Sequence, residues 1–358
     1  MIGDRIHRAR KAAGLSLREL AQRTGVSHTT LSKFERGRQT PTSGQLIELA
    51  RALDVRTEYL LRATRVELGE VAYRAHSKLS AKLRDRIHAD VLDQFERWHE
   101  LLAAFPTDVL PPFTLPRGLP DRIDDEDALE EVAEALRAAW RLGEDPIPDL
   151  IDALESRGLL VVLTKAEGGG QFNGLSAMAG EGLARPVIVV HAHWPGDRQR
   201  FTLAHELAHL VLDGRLGSQV DLEKACNRFA GAFLVPRAAV RQALGARRRT
   251  LEPQELGLLK SEYGLSMQGC LYRARDTGIM SAAAHAELFR AFTRRGWRKQ
   301  EPGPEYPRER TVRFRQLVYR ALAEELIGES KAAELLGMSV HRFHRERRME
   351  GTDAAARQ

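Results

Sequence analysis

Apolar residues recur with helical spacing over most of the chain, and this pattern predicts a mainly α-helical protein. The predicted helices cover residues 2–13, 17–23, 28–36, 43–53, 56–62, 65–104, 126–141, 147–157, the stretch 201–214, 221–235 and much of 251–293. Three short apolar runs, 159–163, 174–179 and 186–190, break this period and predict the strands of a small sheet. At 358 residues the chain is too long for one ordinary domain, so we expect two or three.

Turn and cap signals organise the first sixty residues. Gly14 ends the first helix, and Ser16 with Glu19 three residues later forms a capping box for the second. Gly25 permits a tight turn, and Ser27 caps the third helix. Two short helices joined by a glycine-bearing turn are typical of a helix-turn-helix.

The positive charge of the chain is concentrated in this segment. Residues 1–62 contain 12 of the 55 Lys and Arg residues but 6 of the 49 Asp and Glu residues, so their net +6 equals the formal net charge of the whole chain. The rest of the chain is neutral overall. We therefore expect that only the N-terminal segment meets a polyanion such as DNA.

The first sixty residues resemble the Cro/lambda-repressor-like family of DNA-binding domains, the XRE family. The resemblance rests on SLRELAQ (16–22), GVS (25–27), LSKFERG (31–37) and Pro41. It implies a five-helix domain whose third helix enters the major groove of double-stranded DNA. It also implies an ion pair between Arg10 and Glu35 with a structural role.

The DNA contacts that this resemblance implies fall into two groups. Base edges would be contacted by His28, Thr29 and Lys33. Phosphates, which fix the position of the protein on the duplex more than its sequence preference, would be contacted by Gln22, Arg36 and Arg38. The alternative for these polar residues is a solvated face without a partner.

A second chemical signal lies in the apolar stretch Phe201–Gly214, which contains His205-Glu206-Leu207-Ala208-His209. On a helix, histidines four residues apart share one face and can hold a zinc ion at about 2.0–2.1 Å. Glu206 would lie beside the ion rather than on it, in the position of a general base. A chance match on a core helix is the alternative, but polar residues are costly to bury in so apolar a helix without a role.

Beyond this motif the sequence resembles the ImmA/IrrE metallopeptidase family. The resemblance rests on RFTLAHELAHL (200–210) and on the pattern E-x-x-x-N-x-F-A-x-x-F-L-x-P (223–236), and it spans roughly residues 65–345. It implies a Zn²⁺ site of the gluzincin type, with His205, His209 and Glu223 as ligands and Glu206 as the catalytic base. Repressor proteins of the helix-turn-helix class are the implied substrates.

Three carboxylates follow the two histidines closely enough to be considered as the third ligand. Asp213 shares their helical face but lies about 6 Å further along the axis, too far for its short side chain. Asp221 lies where it would cap the next helix. Glu223 lies inside that helix, which must fold back against the motif helix to bury its two phenylalanines. We therefore expect Glu223 as the ligand, with Asn227 within reach of the ligand shell.

Several neighbouring residues keep two interpretations each. His191 and His193 follow the third predicted strand and either stabilise an oxyanion or are surface histidines. Cys226 either competes for zinc or fills a small buried space. Gly168–Gly170 is expected to be a plain turn rather than a phosphate loop, because no Lys-Ser/Thr follows it.

The predicted domains are a helix-turn-helix domain (1–63), a helical connector with a proline-rich linker (64–120), an α+β zincin-like domain with a small sheet (121–250) and a helical C-terminal module (251–350). The connector either stacks as a hairpin or mediates dimerisation. Residues 330–339, SKAAELLGMS, have the spacing of a second helix-turn-helix in which Ser339 caps the second helix. This unit is either a second DNA or protein contact or a packing module with a solvated basic face. The residues from 351 onward are expected to be frayed.

Together these features predict a homodimeric, DNA-binding transcriptional regulator that carries a zinc-dependent endopeptidase. One alternative is a transcription factor whose zinc domain only senses or stabilises. Another is a toxin–antitoxin or phage-type regulator that acts through protein contacts. The chain has two cysteines, no apolar signal segment and no run of membrane-spanning length, so we expect a cytoplasmic protein that does not contact a membrane.

Overall fold

The computed structural model describes residues 2–62, 80–165, 172, 174–179 and 185–349. Three sequence predictions fall outside these residues: the connector from 65 to 79, the Gly168–Gly170 turn, and the frayed end from 351.

Helices predominate among the described residues, with one small sheet in the middle of the chain. In chain order the elements are α1 (Ile2–Ala12), α2 (Leu17–Thr24), α3 (His28–Glu35), α4 (Ser43–Ala52), α5 (Thr57–Leu61), α6 (Ala81–Ala103), α7 (Ala128–Ala139), α8 (Leu150–Glu155), β1 (Leu160–Thr164), β2 (Gly174–Ala179), β3 (Arg185–His191), α9 (Gly196–Leu212), α10 (Leu222–Leu234), α11 (Arg237–Leu244), α12 (Pro253–Tyr263), α13 (Met267–Asp276), α14 (Ala282–Arg294), α15 (Arg313–Ala323), α16 (Glu329–Leu335) and α17 (Val340–Arg347). None of the helices in the described ranges combines the length and the apolar composition that crossing a bilayer requires.

Helices α1 to α5 form the predicted five-helix domain, and each lies within one residue of its predicted bounds at either end. Their inward side chains share one core, in which Ile6, Leu20, Leu31, Leu49 and Leu60 are fully buried. The prediction of a lambda-repressor-like domain is confirmed.

Local caps explain the helix-turn-helix within this domain. Ser16 accepts a hydrogen bond from the backbone N–H of Glu19, and the Glu19 carboxylate accepts one from the backbone N–H of Ser16, which is the predicted capping box. Gly25 ends α2 at a φ of 68°, a left-handed conformation that glycine adopts without strain. Ser27 then begins α3 by accepting from the backbone N–H of Thr30.

The three strands are ordered β1-β3-β2. β1 runs parallel to β3, with Leu160 opposite Val187, and β2 runs antiparallel to β3, with Gly174 opposite Val190. Helices cover both faces of the sheet, which explains why the strand sequences are mostly apolar. The three strands lie within one residue of their predicted bounds.

Two hydrophobic cores lie on opposite faces of this sheet. The larger core joins one face to α7–α14. The smaller core joins the other face to α6 and to α15–α17, for example through Phe95, Val189 and Phe343. The connector helix and the end of the C-terminal module, which the sequence predicted as parts of separate segments, therefore share one core. Within the described residues the connector is a single helix of 23 residues, and residues 106–120 contain no helix or strand, as expected of a linker.

The N-terminal domain lies against α6 through ion pairs. Glu96 of α6 is completely buried and accepts hydrogen bonds from Arg5 and, at 2.9 Å, from Arg8. Lys11 also contacts Asp85 at 2.6 Å, but both of these side chains are 40% exposed. Exposed ion pairs contribute about 0–1 kcal/mol, whereas a buried charge must be matched by its partners. The buried Glu96 therefore fixes the position of the N-terminal domain on α6 more than the Lys11–Asp85 pair does.

A second buried ion pair holds the helices behind the candidate site. Arg273 of α13 donates to the two carboxylate oxygens of Glu130 at 2.5 and 2.8 Å and to the backbone oxygen of Val235 at 3.0 Å. A methyl group at Gly231 of α10 would lie 2.9 Å from the Arg273 side chain, so the glycine makes room for it. These contacts fix α7, α13 and the end of α10 relative to one another.

Candidate metal centre and nucleic-acid interface

The metal-binding motif lies in the middle of α9, which is buried along most of its length. Leu203, Ala204, Leu207 and Ala208 are completely inaccessible to solvent. The helix begins at Gly196, before the apolar stretch that the sequence singled out. Its first turns contain buried polar residues with long-range partners, such as Gln199, whose amide donates to two backbone oxygens at the end of β3 at 3.0 and 3.1 Å.

His205 and His209 of α9 meet Glu223, which lies in the first turn of α10. The His205 Nε2 lies 3.2 Å from the His209 Nε2. The Glu223 carboxylate lies 3.4 Å from the His205 Nε2 and 3.6 Å from the His209 Nε2. A tetrahedral ion with bonds of about 2.0–2.1 Å has ligand–ligand distances of about 3.3–3.4 Å. Among the described residues, these three ligand atoms therefore fit a zinc ion.

The approach of Glu223 follows from the packing of α10 on α9. Phe229 and Phe233 are completely buried, and their rings stack with centroids 5.8 Å apart. Asp221 caps α10 by accepting from the backbone N–H of Lys224 at 2.8 Å, as the sequence predicted. The group of three metal-binding side chains contains Glu223 and neither Asp213 nor Asp221.

The far nitrogen of each histidine ring also has a partner. The His205 Nδ1 lies 3.1 Å from the Asn227 Oδ1, so the N–H at Nδ1 donates to the amide oxygen and leaves the Nε2 lone pair free. The His209 Nδ1 lies 3.6 Å from the Cys226 sulfur. The sequence interpretation of Cys226 missed this contact, although its position one residue before Asn227 on α10 was a signal.

Burial keeps the ring nitrogens in the form that binds a metal. It lowers the pKa of His205, and the neighbouring His209 lowers it further. Burial also lowers the pKa of His209, and it raises the pKa of the Cys226 thiol, which stays protonated. Neutral imidazoles are the metal-ligating form. Glu223 is 57% exposed, so the site is open to solvent on that side.

Glu206 lies beside this group, against strand β2. Its side chain is 7% exposed and forms a hydrogen bond with Ser176. Burial raises the pKa of the Glu206 carboxyl to about 7; the Ser176 hydrogen bond opposes the rise and the Glu223 charge adds to it. A methyl group at Gly174 would lie 3.1 Å from a Glu206 carboxylate oxygen and would overlap the Thr202 side chain. The start of β2 therefore forms one wall around this carboxylate.

His191 and His193 lie at the end of β3 and in the turn that follows it. The His191 ring stacks on Trp194, with centroids 5.7 Å apart. His193 is exposed, and its backbone N–H donates to the His191 Nδ1 at 3.1 Å. Neither residue belongs to the metal-binding group in the described part of the chain, and both interpretations of these histidines stay predictions.

The predicted DNA-binding side chains lie on the solvent side of the N-terminal domain. All six are exposed: Gln22, His28, Thr29, Lys33, Arg36 and Arg38. The predicted pair behind them is present, with two Arg10–Glu35 hydrogen bonds of 2.6 and 2.8 Å joining α1 to α3. Burial tends to raise the pKa of Glu35, but the hydrogen bonds from Arg10 and His7 outweigh it and lower that pKa to about 2.

Comparisons with known proteins match both sites. A helix-turn-helix family model matches residues 6–60, and the model of the IrrE N-terminal-like domain matches residues 157–275. A helix-turn-helix transcriptional regulator of Sinorhizobium fredii is 44% identical over 55 residues, which are 15% of this chain and 71% of that protein. The chain belongs to the XRE-type helix-turn-helix regulators that carry an IrrE-like domain.

Two further relatives of this XRE–IrrE regulator also match it over short stretches. The transcriptional regulator SinR of Bacillus subtilis is 48% identical over 62 residues, 17% of this chain and 56% of SinR. ImmR of the same species is 33% identical over 60 residues, 17% of this chain and 47% of ImmR. The chain spans about half the length of the curated relatives that it matches. The expected ImmA/IrrE resemblance over 65–345 is matched over 157–275, a range that contains the whole metal-binding group.

The contacts of Gly174 generate a prediction about the XRE–IrrE regulator. Gly174→Ala would force Thr202 or Glu206 to move, so we expect the free energy of unfolding to fall by about 1–3 kcal/mol. Urea unfolding measures this change. The matched control is Gly257→Ala inside α12, where an added methyl group meets nothing within 4 Å and helix propensity favours alanine by about 1 kcal/mol. Equal stability of the two variants would contradict the close approach of β2 to Glu206.

Proposed function

We propose that this regulator binds double-stranded DNA as a homodimer through α3 and is also a zinc-dependent endopeptidase. The observation that carries the peptidase half is the triangle of His205, His209 and Glu223, with edges of 3.2–3.6 Å, beside the separate carboxylate of Glu206. Two imidazoles and one carboxylate with one open position are a donor set of catalytic zinc sites.

The three ligands would hold Zn²⁺, with Asn227 and Cys226 orienting the two rings from behind. A zinc ion bound there would polarise a peptide carbonyl and lower the pKa of a water molecule. Glu206 is close to the triangle but is not one of its corners. Its carboxylate would take the proton of the attacking water and deliver it to the leaving amine. Ser176 would hold that carboxylate in place.

The substrate would approach along β2. Among the described strands β2 is at an edge of the sheet, and an extended peptide would pair with the side of its backbone that faces away from β3. Helix-turn-helix repressors are the substrate class that we propose, on the strength of the ImmA/IrrE resemblance. Cleavage of such a repressor would release the genes that it silences, in a stress or mobile-element response.

The first prediction concerns the third ligand. Glu223→Ala removes one of three zinc donors, so we expect zinc affinity to fall by more than the factor of about 10–100 that loss of an outer hydrogen-bond partner costs. For Asn227→Ala we expect a loss of zinc affinity within that smaller range. Asp221→Ala is the control, because it removes only a helix cap worth about 1 kcal/mol of stability. Competition with a zinc-binding dye measures all three. An Asp221→Ala effect as large as that of Glu223→Ala would contradict the assignment.

The second prediction concerns catalysis. Glu206→Gln keeps the size of the side chain but removes the proton acceptor, so the variant is expected to bind zinc and to lose cleavage. The assay is co-expression with helix-turn-helix repressors encoded beside the gene, followed by mass spectrometry of the fragments. Glu287→Gln, an exposed residue of α14, is the control. If the zinc-loaded wild-type protein cleaves none of them while it still binds DNA, the zinc domain serves as a sensor or a structural module.

The third prediction concerns DNA. The binding site is expected to be two-fold symmetric, as a dimer requires, and can be selected from random duplexes. Thr29→Ala and Lys33→Ala are expected to relax sequence preference by about 1–3 kcal/mol at single positions. Arg38→Ala is expected to weaken binding to all DNA sequences alike. It is also expected to reduce the slope of log K against log salt by about 1. Arg51→Ala, an exposed residue paired with Glu48, is the control. Unchanged binding after removal of residues 1–62 would overturn this assignment.

A further inference from the structure

The end of the C-terminal module repeats the local geometry of the DNA-binding helices. Gly25 joins α2 to α3 at a φ of 68°, and Gly337 joins α16 to α17 at a φ of 67°. The second helix of each pair begins with a serine cap, Ser27 in one case and Ser339 in the other. Neither the IrrE-like match nor the helix-turn-helix match includes this second unit.

The two units also agree residue by residue when their turn glycines are aligned. The sixth residue after the glycine is fully buried in both, Leu31 in the first unit and Phe343 in the second. The backbone N–H of Leu31 donates to the backbone oxygen of Ser27 at 2.9 Å, and that of Phe343 donates to the backbone oxygen of Ser339 at 2.8 Å. The same alignment places His341 at the position of Thr29 and Arg345 at the position of Lys33. These are the two positions from which α3 is proposed to contact bases.

The outward face of α17 is more basic than that of α3. Residues 339–348 contain four arginines and one glutamate, whereas residues 27–36 contain one lysine, one arginine and one glutamate. Arg347 pairs with Glu329 of α16, so it is held within the module. Arg342 and Arg345 are exposed, and among the described residues neither side chain forms a hydrogen bond or a close ion pair, although the charge of Arg342 helps to lower the pKa of Glu346.

Packing accounts for the inward face of the unit but not for these arginines. Ala332, Ala333 and Phe343 are completely buried in the core that α6 shares with the sheet. This core fixes α17 as a rigid element, so its outer face is presented in one orientation. Exposed guanidinium groups on a fixed helix of a helix-turn-helix match the charge of DNA phosphates.

We propose that α16 and α17 form a second contact with double-stranded DNA, in which His341 faces the groove and the long side chains of Arg342 and Arg345 bind the phosphates beside it, so that Arg345 differs in role from Lys33 at the aligned position. This second contact extends the DNA-binding function proposed for α3. It rests on that function only because both units would bind the same DNA. A chain with two such units contacts more phosphates than its N-terminal domain alone can reach. Its affinity for a long duplex would therefore depend on salt more steeply.

The test uses the full-length chain and a fluorescein-labelled 40-bp duplex of random sequence, with anisotropy measured over a range of salt concentrations. The double variant Arg342→Glu/Arg345→Glu is expected to bind tenfold to hundredfold more weakly, on the order set by two lost phosphate contacts. The slope of log K against log salt should fall by about 2. The matched control is Arg290→Glu/Arg294→Glu on α14, which makes the same change of net charge at two exposed arginines. Its slope is expected to stay at the wild-type value.

A third variant, Lys33→Glu/Arg38→Glu, separates this proposal from the function assigned to the N-terminal domain. If it loses binding while the α17 variant and the α14 control both match the wild type, the second contact is wrong and the first stands. If the α17 and α14 variants weaken binding equally, the effect is one of overall charge and the second contact is again wrong. If the α17 variant loses affinity and slope while Lys33→Glu/Arg38→Glu changes neither, the second contact stands and the assignment of α3 fails. Circular dichroism confirms that each variant is folded.

Discussion

The packing of α10 on α9 is the constraint on which the candidate site depends. Phe229 and Phe233 are buried in the core that α10 shares with α9 and α7, and this packing sets a rotation of α10 about its own axis that turns Glu223 toward the two histidines. The same rotation places Asn227 behind His205 and Cys226 behind His209. Hydrophobic burial is not directional, but the polar and apolar residues of α10 have fixed positions on the same helix. Burying the apolar residues therefore also orients the donor atoms of the polar ones.

Buried charges supply a second level of constraint around this pair of helices. Arg273 binds Glu130 behind α10, and Arg200 of α9 binds Glu309 at 2.5 Å. Glu309 also accepts from the backbone N–H of Leu150, so a segment without helix or strand joins the start of α8 to α9. Removing one partner of such a pair costs about 3–5 kcal/mol, because the other charge remains buried. These pairs hold α9 and α10 against the rest of the domain.

Local signals made the fold and most of the site predictable, whereas long-range contacts did not. Caps and turn glycines set the helix bounds. The distance argument set Asp213 aside, and Glu223 lies within 3.6 Å of both histidine Nε2 atoms. The early start of α9 and the role of Glu309 were missed, because buried Arg200 is satisfied by a residue 109 positions later. The shared core of α6 and α17 was missed for the same reason, because the sequence of neither helix indicates which element it packs against.

The position of α6 changes how the two functional parts relate to each other. A flexible linker between the N-terminal domain and the IrrE-like domain would leave each free to move, but α6 is packed on both sides. Its Glu96 holds α1 through two arginines, and its Asp90 accepts a 2.5 Å hydrogen bond from Thr164 at the end of β1. β1 adjoins β3, which in turn adjoins β2, the strand that contacts Glu206. Since Glu96 is buried and its arginines would be costly to leave unpaired, the N-terminal domain is held in one orientation relative to the sheet.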